Sequence, residues 1–257
     1  MTKNLHIEIF GQGKTIVLLH GWAMHAGVLR NFAMKLAQQA RVICVDLPGH
    51  GRSPLQQPFE LQAIAAELIQ ALDEAPCCWL GWSLGALVAL EVARQAPEKV
   101  SSVVLLAGSP CFVKKAAWPG LDITLLDTFA NSLLRNPKAT AARFMALQIH
   151  GMPQEKHLLQ ALKSSLVECA VPDTNTLQAG LRVLKNQDLR AVVATLSCPV
   201  LALLGAKDVL VPIAIAPHLQ ALRPSVQVAI LADAGHVPFL SHPAETAQRV
   251  IDFIQAV

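Results

Sequence analysis

The segment GWSLG at residues 81–85 sets a serine between two glycines. A short apolar run at residues 77–81 precedes it, and an amphipathic stretch follows it. A serine between a strand and a helix in this G-x-S-x-G pattern sits at the tip of a sharp turn, where its hydroxyl can attack a carbonyl carbon. We therefore predict that Ser83 is a nucleophile. The alternative is an incidental serine in a glycine-rich turn.

A serine nucleophile needs a general base, and the chain has nine histidines. His236 lies in DAGHVP just after the last predicted strand, which places it at the same sheet edge as Ser83. We predict that His236 is the base. His50, in a PGHG loop, is expected to stabilise that loop, and His242 to begin a helix. Surface or packing positions are expected for five others, namely His6, His25, His150, His157 and His218.

The base in turn needs a carboxylate to orient it. Asp208 follows the apolar run PVLALLG, and it stands in the chain order serine, acid, histidine that this arrangement uses. We predict that Asp208 is the acid. Asp233, three residues before His236, is the main alternative, although it is expected to serve the turn there. Asp46 precedes Ser83 and fits the order poorly.

The developing oxyanion of an ester reaction needs hydrogen-bond donors. One predicted donor is the backbone N–H of Leu84, directly after the nucleophile. The second should come from the loop after an early strand, and the His-Gly-Trp segment at residues 20–22 is such a loop. We predict the N–H of Trp22 as this donor, with its indole as a wall of the pocket. The alternative for Trp22 is an ordinary core aromatic.

These residues require a scaffold that brings strand ends together. Short runs rich in Val, Ile and Leu predict strands that are buried on both faces, and amphipathic segments predict helices between them. The predicted strands span residues 15–20, 41–45, 77–81, 100–106, 200–204 and 226–231, and helices span 61–72, 84–96 and 244–257. This alternation predicts the α/β class, with a doubly wound, mostly parallel sheet.

One long stretch breaks the alternation. Residues 110–190 contain no convincing strand, and they form four predicted helices at 121–134, 139–149, 156–167 and 176–185. Such a stretch is longer than an ordinary crossover between strands. We predict a helical cap at residues 111–190, laid over the carboxyl edge of an α/β core made of residues 1–110 and 191–257.

The composition excludes several classes of protein. Charged residues make up 15% of the 257 residues, against about 25% in typical domains. Hydrophobic residues make up 53%, which excludes a disordered chain, and a net charge of +3 is too weak for nucleic-acid binding driven by overall charge. The absence of Tyr excludes a catalytic phenol. No apolar signal segment follows the first residues, so we expect the protein to be located in the cytoplasm.

Cysteines and metal motifs point to no cofactor. The six Cys show no C-x-x-C spacing and are expected to be buried, free thiols rather than nucleophiles. No H-E-x-x-H segment or Cys/His cluster suggests a metal. We therefore expect neither a metal nor an organic cofactor.

The motifs HGW, DLPGHGRS, GWSLG, GAKD and GH together resemble those of the α/β-hydrolase family, over nearly the whole chain. Within it, the segments WLGWSLG, SPCF, WPG, RFMALQ and SHPAE are similar to the family of pimeloyl-[acyl-carrier protein] methyl ester esterases of biotin synthesis. That resemblance implies the hydrolase fold, a monomer, and release of methanol from a pimeloyl methyl ester on acyl-carrier protein. It also implies a set of substrate-contacting residues, namely Trp22, Ser83, Leu84, Phe144, Met145, Ala146, Leu147, Gln148 and His236.

Charge arithmetic offers separate support for an acidic partner. Residues 112–190 carry 10 basic and 6 acidic side chains, a net charge of +4, whereas the rest of the chain carries 11 and 12, a net of −1. A basic rim would attract an acidic carrier protein. We predict Arg143, Lys156 and Lys163 as its contacts; the alternative is an ordinary solvated helix face.

Two other functions remain open. The first is another hydrolase on the same fold: a generic short-chain carboxylesterase, a lactonase or a C–C bond hydrolase. The second is a non-catalytic binding protein, which would have no need of a complete Ser83, Asp208 and His236 set.

Overall fold

A seven-stranded sheet forms the centre of the molecule in the computed structural model, which describes residues 5–55 and 58–257. The strands are β1 (Ile7–Phe10), β2 (Thr15–Leu19), β3 (Arg41–Val45), β4 (Cys77–Trp82), β5 (Val100–Leu106), β6 (Val200–Gly205) and β7 (Gln227–Leu231). Their order across the sheet is β1-β3-β2-β4-β5-β6-β7. The carboxyl ends of β2, β4, β6 and β7 therefore lie along one edge, as a parallel sheet requires.

All neighbouring strands except the first pair run parallel. β1 pairs antiparallel with β3, with Ile7 opposite Val45 and Phe10 opposite Val42. This edge strand was not predicted from the sequence, because it is only four residues long and none of its residues is fully buried. The six predicted strands match β2 to β7 within two residues at each end.

Eleven α-helices are assigned in the described residues. They are α1 (Arg30–Leu36), α2 (Leu61–Ala71), α3 (Leu84–Gln95), α4 (Ile123–Arg135), α5 (Pro137–Gln148), α6 (Glu155–Val167), α7 (Thr174–Asn186), α8 (Arg190–Thr195), α9 (Ile215–Leu222), α10 (Pro238–Ser241) and α11 (Pro243–Ala256). A short 3₁₀ helix, Ala26–Leu29, precedes α1.

Apolar side chains cover the sheet on both faces. One cluster joins the sheet to α2, α3, α8 and α9, and a second joins the opposite face to α1 and α11. β4 is buried along its full length, as expected of a central strand covered on both faces. The predicted doubly wound α/β class is confirmed.

Five helices, α4 to α8, lie between β5 and β6, and we call the first four of them, α4 to α7, the inserted helices. Their ends differ from the predicted ones by up to two residues, and capping side chains set where α5 and α7 begin. Asn136 accepts a hydrogen bond from the Ala139 N–H, so α5 begins at Pro137. Asp173 accepts from the N–H groups of Asn175 and Thr176, so α7 begins at Thr174. Of the helices in the described ranges, none combines the length and the hydropathy needed to cross a membrane.

Candidate active site

The turn between β4 and α3 holds Ser83 in an uncommon backbone conformation, with φ 55° and ψ −117°. Its two flanking glycines are sterically required. A Cβ at Gly81 would overlap the Gly85 carbonyl, and one at Gly85 would overlap the Leu19 carbonyl of β2. The Ser83 N–H donates to the Leu106 carbonyl at 3.1 Å. The chain therefore turns sharply enough to set the Ser83 hydroxyl above the strand ends.

A chain of hydrogen bonds runs from Ser83 to Asp208. Ser83 Oγ lies 2.8 Å from His236 Nε2, and His236 Nδ1 lies 2.8 Å from Asp208 Oδ2. The other carboxylate oxygen of Asp208 accepts from the N–H groups of Leu210 at 2.8 Å and Val211 at 3.0 Å. Ser83 is 2% exposed and His236 0%. This arrangement can pass the Ser83 proton to an imidazole held by a buried carboxylate.

The two rival carboxylates lie elsewhere. Asp233 is exposed and pairs with Lys207 at 2.8 Å, and the hydrogen bond to that ammonium lowers the Asp233 pKa. Asp46 is buried, and it accepts from the backbone N–H groups of Ala26 and Arg52. Asp46 therefore ties the loop after β3 to the 3₁₀ helix after β2. Neither carboxylate contacts His236.

His50 was expected to stabilise its own loop, and His242 to begin a helix. His50 Nδ1–H donates to the Pro48 carbonyl at 3.0 Å, within its own loop. Burial lowers the pKa of His50 to about 4. His242 is the residue directly before α11.

His236 is held by two contacts that the sequence analysis missed. The Trp82 indole Nε1–H donates to the His236 carbonyl at 2.8 Å, and the His236 N–H donates to the Gln148 carbonyl at 3.3 Å. The Trp82 ring lies 6.0 Å from the His236 ring. The G-x-S-x-G motif itself points to Trp82, because Trp82 occupies the variable position directly before the serine. The Gln148 contact joins residues from distant parts of the chain and had no local signal.

The predicted oxyanion loop passes directly beside the nucleophile. A Cβ at Gly21 would lie 3.2 Å from Ser83 Cβ. Leu84 begins α3, so its N–H belongs to the first helical turn, whose N–H groups have no partner within the helix. The Trp22 indole donates to the Leu177 carbonyl of α7 at 2.8 Å, and its ring packs edge-on against Phe144 at 4.7 Å. Trp22 thus lies between the sheet edge and the inserted helices.

The five predicted substrate residues on α5 point in different directions. Phe144 packs against Trp22, and the Gln148 carbonyl meets His236. Ala146 and Leu147 are half-buried. Met145 is buried in the apolar cluster that also contains Met152. The structure therefore brings Phe144 against Trp22 and the Gln148 carbonyl against the base, and it places the other three on the same helix.

The three predicted carrier contacts are exposed on the inserted helices. Arg143 lies on α5, whereas Lys156 and Lys163 lie on α6 and share a surface groove of about 390 Å³ with Leu159 and Val167. Within the described ranges, none of the three basic side chains forms an ion pair. Their charges are therefore free to act on a partner in solution.

The cysteines offer no competing nucleophile among the described residues. All six are free, and four are buried. Burial raises the thiol pKa of Cys44, Cys77 and Cys78 to about 12 in each case. A thiol is a nucleophile only as the thiolate, so these groups are held in the unreactive form. In the described part of the chain, no group of three or more His, Cys, Asp or Glu side chains is arranged to hold a metal ion.

Known proteins resemble this chain over nearly its whole length. The family described as alpha/beta hydrolase fold matches residues 14–243. A protein of Methylococcus capsulatus named pimeloyl-[acyl-carrier protein] methyl ester esterase is 43% identical over 97% of this chain and 98% of its own length. A protein of the same name from Edwardsiella ictaluri is 41% identical over 95% and 94%.

Solved structures share the fold at lower sequence identity. An esterase from Exiguobacterium antarcticum superposes with a TM-score of 0.87 at 22% identity, covering 98% of this chain and 95% of its own. An enol-lactonase from Burkholderia xenovorans gives 0.82 at 19% identity, covering 98% and 96%. The chain therefore belongs to the alpha/beta hydrolase fold family and is related within it to bacterial proteins named pimeloyl-[acyl-carrier protein] methyl ester esterase.

Proposed function

We propose that this protein is a serine carboxylesterase that hydrolyses the methyl ester of a pimeloyl group carried by an acyl-carrier protein, releasing methanol. The observation that carries the proposal is the buried hydrogen-bond chain from Ser83 through His236 to Asp208. The relatives' names supply the substrate class. The proposed working unit is a monomer in the cytoplasm.

Acylation begins at the Ser83 hydroxyl. Its oxygen attacks the ester carbonyl carbon while His236 Nε2 accepts the proton, and Asp208 stabilises the resulting imidazolium. The N–H groups of Trp22 and Leu84 bind the tetrahedral oxyanion. When the intermediate collapses, the C–O bond to the methoxy group breaks and His236 returns its proton to that oxygen. Methanol leaves, and the acyl group remains esterified to Ser83.

Deacylation repeats these steps with water. His236 takes a proton from the water, whose oxygen attacks the acyl carbon, and the second tetrahedral intermediate is bound by the same two N–H groups. Its collapse returns the proton to Ser83 Oγ. The product is a free carboxyl group on the carrier-linked chain.

We propose further that residues 111–190 act as a cap over a core formed by residues 1–110 and 191–257. Support comes from the contacts that α5 and α7 make with the nucleophile region, namely Phe144 and Leu177 against Trp22. The apolar side chains around Trp22 suit the methylene chain of a pimeloyl group. The exposed bases Arg143, Lys156 and Lys163 suit an acidic carrier protein.

The test compares a carrier-linked pimeloyl methyl ester with a small free methyl ester. Wild-type enzyme should hydrolyse the carrier-linked ester, and Ser83→Ala should lower kcat by about 10⁴-fold without unfolding the protein. Replacing Arg143, Lys156 and Lys163 together by Ala should raise KM for the carrier-linked ester alone. That effect should shrink with added salt, because exposed charges are screened over about 8 Å at physiological ionic strength.

A control variant removes two basic side chains outside the inserted helices instead, with Lys35→Ala on α1 and Arg249→Ala on α11. This double variant should leave KM unchanged for both esters. Equal losses on both esters at every salt concentration in the triple variant would contradict carrier docking and favour a generic short-chain esterase. Full activity of Ser83→Ala would contradict the esterase proposal itself.

A further inference from the structure

The peptide unit between Gly21 and Trp22 is held by a buried histidine at the end of β2. His20 is 0% exposed. Its Nδ1 lies 2.9 Å from the Gly21 carbonyl oxygen, and its Nε2 lies 2.9 Å from the Leu47 backbone nitrogen. Because an N–H can only donate, Nε2 must be the acceptor and Nδ1 must carry the proton. The two bonds together define one neutral tautomer.

The hydrogen bond from His20 to the Gly21 carbonyl also affects the neighbouring N–H of Trp22. In a trans peptide the C=O and the N–H lie in one plane and point in opposite directions. The Gly21 oxygen and the Trp22 N–H belong to the same peptide, so a donor that fixes the oxygen also fixes the direction of the N–H. Gly21 lies beside Ser83, and within residues 5–55 and 58–257 the Trp22 N–H has no hydrogen-bond partner. That N–H is therefore available to a ligand.

The turn itself holds this peptide less firmly. The Met24 N–H also donates to the Gly21 oxygen, but at 3.3 Å, and the turn passes through Ala23 with φ 60°. A non-glycine residue with positive φ carries a steric cost. The turn alone would therefore hold the peptide between Gly21 and Trp22 only at the expense of backbone strain. The bond from His20 is shorter. Burial, together with the nearby His50 ring at 5.2 Å, lowers the pKa of His20 well below its ordinary value, which favours the neutral ring.

We propose that His20 is a positioning residue for the esterase reaction, acting through the Gly21 carbonyl to aim the Trp22 N–H at the oxyanion. The proposal rests on the proposed function, since it assumes an oxyanion formed at Ser83. His20 touches no reacting atom. Its contribution should therefore appear in the stability of the transition state and not in the binding of the ester.

Two substitutions separate the two hydrogen bonds of His20. The amide nitrogen of Asn reaches the position of Nδ1, so His20→Asn can still donate to the Gly21 oxygen while losing the Leu47 contact. The amide oxygen of Gln reaches the position of Nε2, so His20→Gln can still accept from Leu47 while losing the Gly21 contact. Each variant thus loses one buried hydrogen bond, and the melting temperatures should fall by similar amounts.

The readout is the rate of p-nitrophenyl butyrate hydrolysis and the affinity for a butyl boronic acid, which forms a tetrahedral adduct with the serine. Since removing an oxyanion donor outright costs about 10²- to 10³-fold in kcat, we expect His20→Gln to lose about 10- to 100-fold in kcat with KM unchanged. Boronic acid affinity should weaken by the same factor. His20→Asn should lose less than about 5-fold in each, because its donor remains. Equal losses in the two variants, or no loss in His20→Gln, would overturn the proposal.

A measurement on the wild-type enzyme covers the case in which neither variant folds. Nitrogen-15 NMR of labelled histidine should find His20 neutral with its proton on Nδ1, and boronic acid binding should shift the Trp22 amide proton downfield. An Nε2-protonated ring, or an unmoved Trp22 amide in a formed adduct, would refute the proposal. Wild-type enzyme that forms no Ser83-dependent adduct and hydrolyses no ester would instead contradict the proposed function, leaving the tautomer as the test of the His20 geometry.

Discussion

His50 should make the stability of this protein fall in mild acid. The imidazole is buried, its pKa is lowered from 6.5 to about 4 by burial, and its Nε2 has no hydrogen-bond partner in the described structure. The unfolded chain therefore binds a proton at a higher pH than the folded protein does. This contribution to stability is complete above pH 6.5 and is lost as the pH falls through the window from about 6.5 to about 4.

The size of the loss follows from the two pKa values. At pH 5 the unfolded histidine is almost fully protonated and the folded one is almost fully neutral, which costs about 2 kcal/mol relative to pH 7. Near pH 4 the cost reaches about 3 kcal/mol. The variant His50→Asn cannot titrate, but its amide nitrogen can still donate to the Pro48 carbonyl. Its stability should therefore depend less on pH than that of the wild type.

The assay is urea unfolding of both proteins at pH 7, 6 and 5. The difference in unfolding free energy between them should move in favour of the variant by about 2 kcal/mol over this range. The matched control is His157→Asn, because His157 is exposed on α6, and this variant should follow the wild-type pH dependence. The reasoning would be refuted if the difference in unfolding free energy between wild type and His50→Asn stayed constant from pH 7 to pH 5.

Two further predictions concern the active site itself. Asp208→Asn should lower kcat by about 10⁴-fold, because the buried carboxylate that orients the base is lost. Asp233 is exposed, so Asp233→Asn should change kcat by less than about 3-fold. If steady-state kinetics gave the reverse ranking, Asp233 and not Asp208 would be the acid. Gly180→Ala should reduce both the melting temperature and kcat, since the added methyl would lie 2.6 Å from Trp22 Cδ1, and overpacking of this kind costs about 1–3 kcal/mol. Calorimetry and kinetics on that variant would count against the packing argument if both values matched wild type.

Local signals in the sequence indicated much of this site. Ser83, Asp208 and His236 each follow a run of mostly apolar residues, and in a parallel sheet the ends of such runs meet at one edge. The chain order serine, acid, histidine counted against Asp46, and the position of Asp233 only three residues before His236 counted against that second rival. The sequence also indicated the inserted helices, because an 80-residue stretch without strands cannot be an ordinary crossover.

Contacts across long stretches of chain could not be predicted in this way. The bond from Trp22 to the Leu177 carbonyl and the bond from His236 to the Gln148 carbonyl depend on how the inserted helices settle on the sheet. Every residue has a backbone carbonyl, so the residue types of a segment do not indicate which carbonyl accepts such a bond. Strand β1 was not predicted for a different reason. An edge strand of four partly exposed residues lacks the apolar run that indicates a buried strand.

The strained backbone at Ser83 has a consequence for engineering. A residue held outside the common φ/ψ regions costs about 1–3 kcal/mol, and the rest of the fold must supply that energy. Glycine would adopt the same conformation at lower cost, but it would remove the hydroxyl. A directed-evolution screen that rewards heat resistance alone would therefore favour loss of the nucleophile at position 83. Thermostable variants of this enzyme should be selected on turnover as well as on melting temperature.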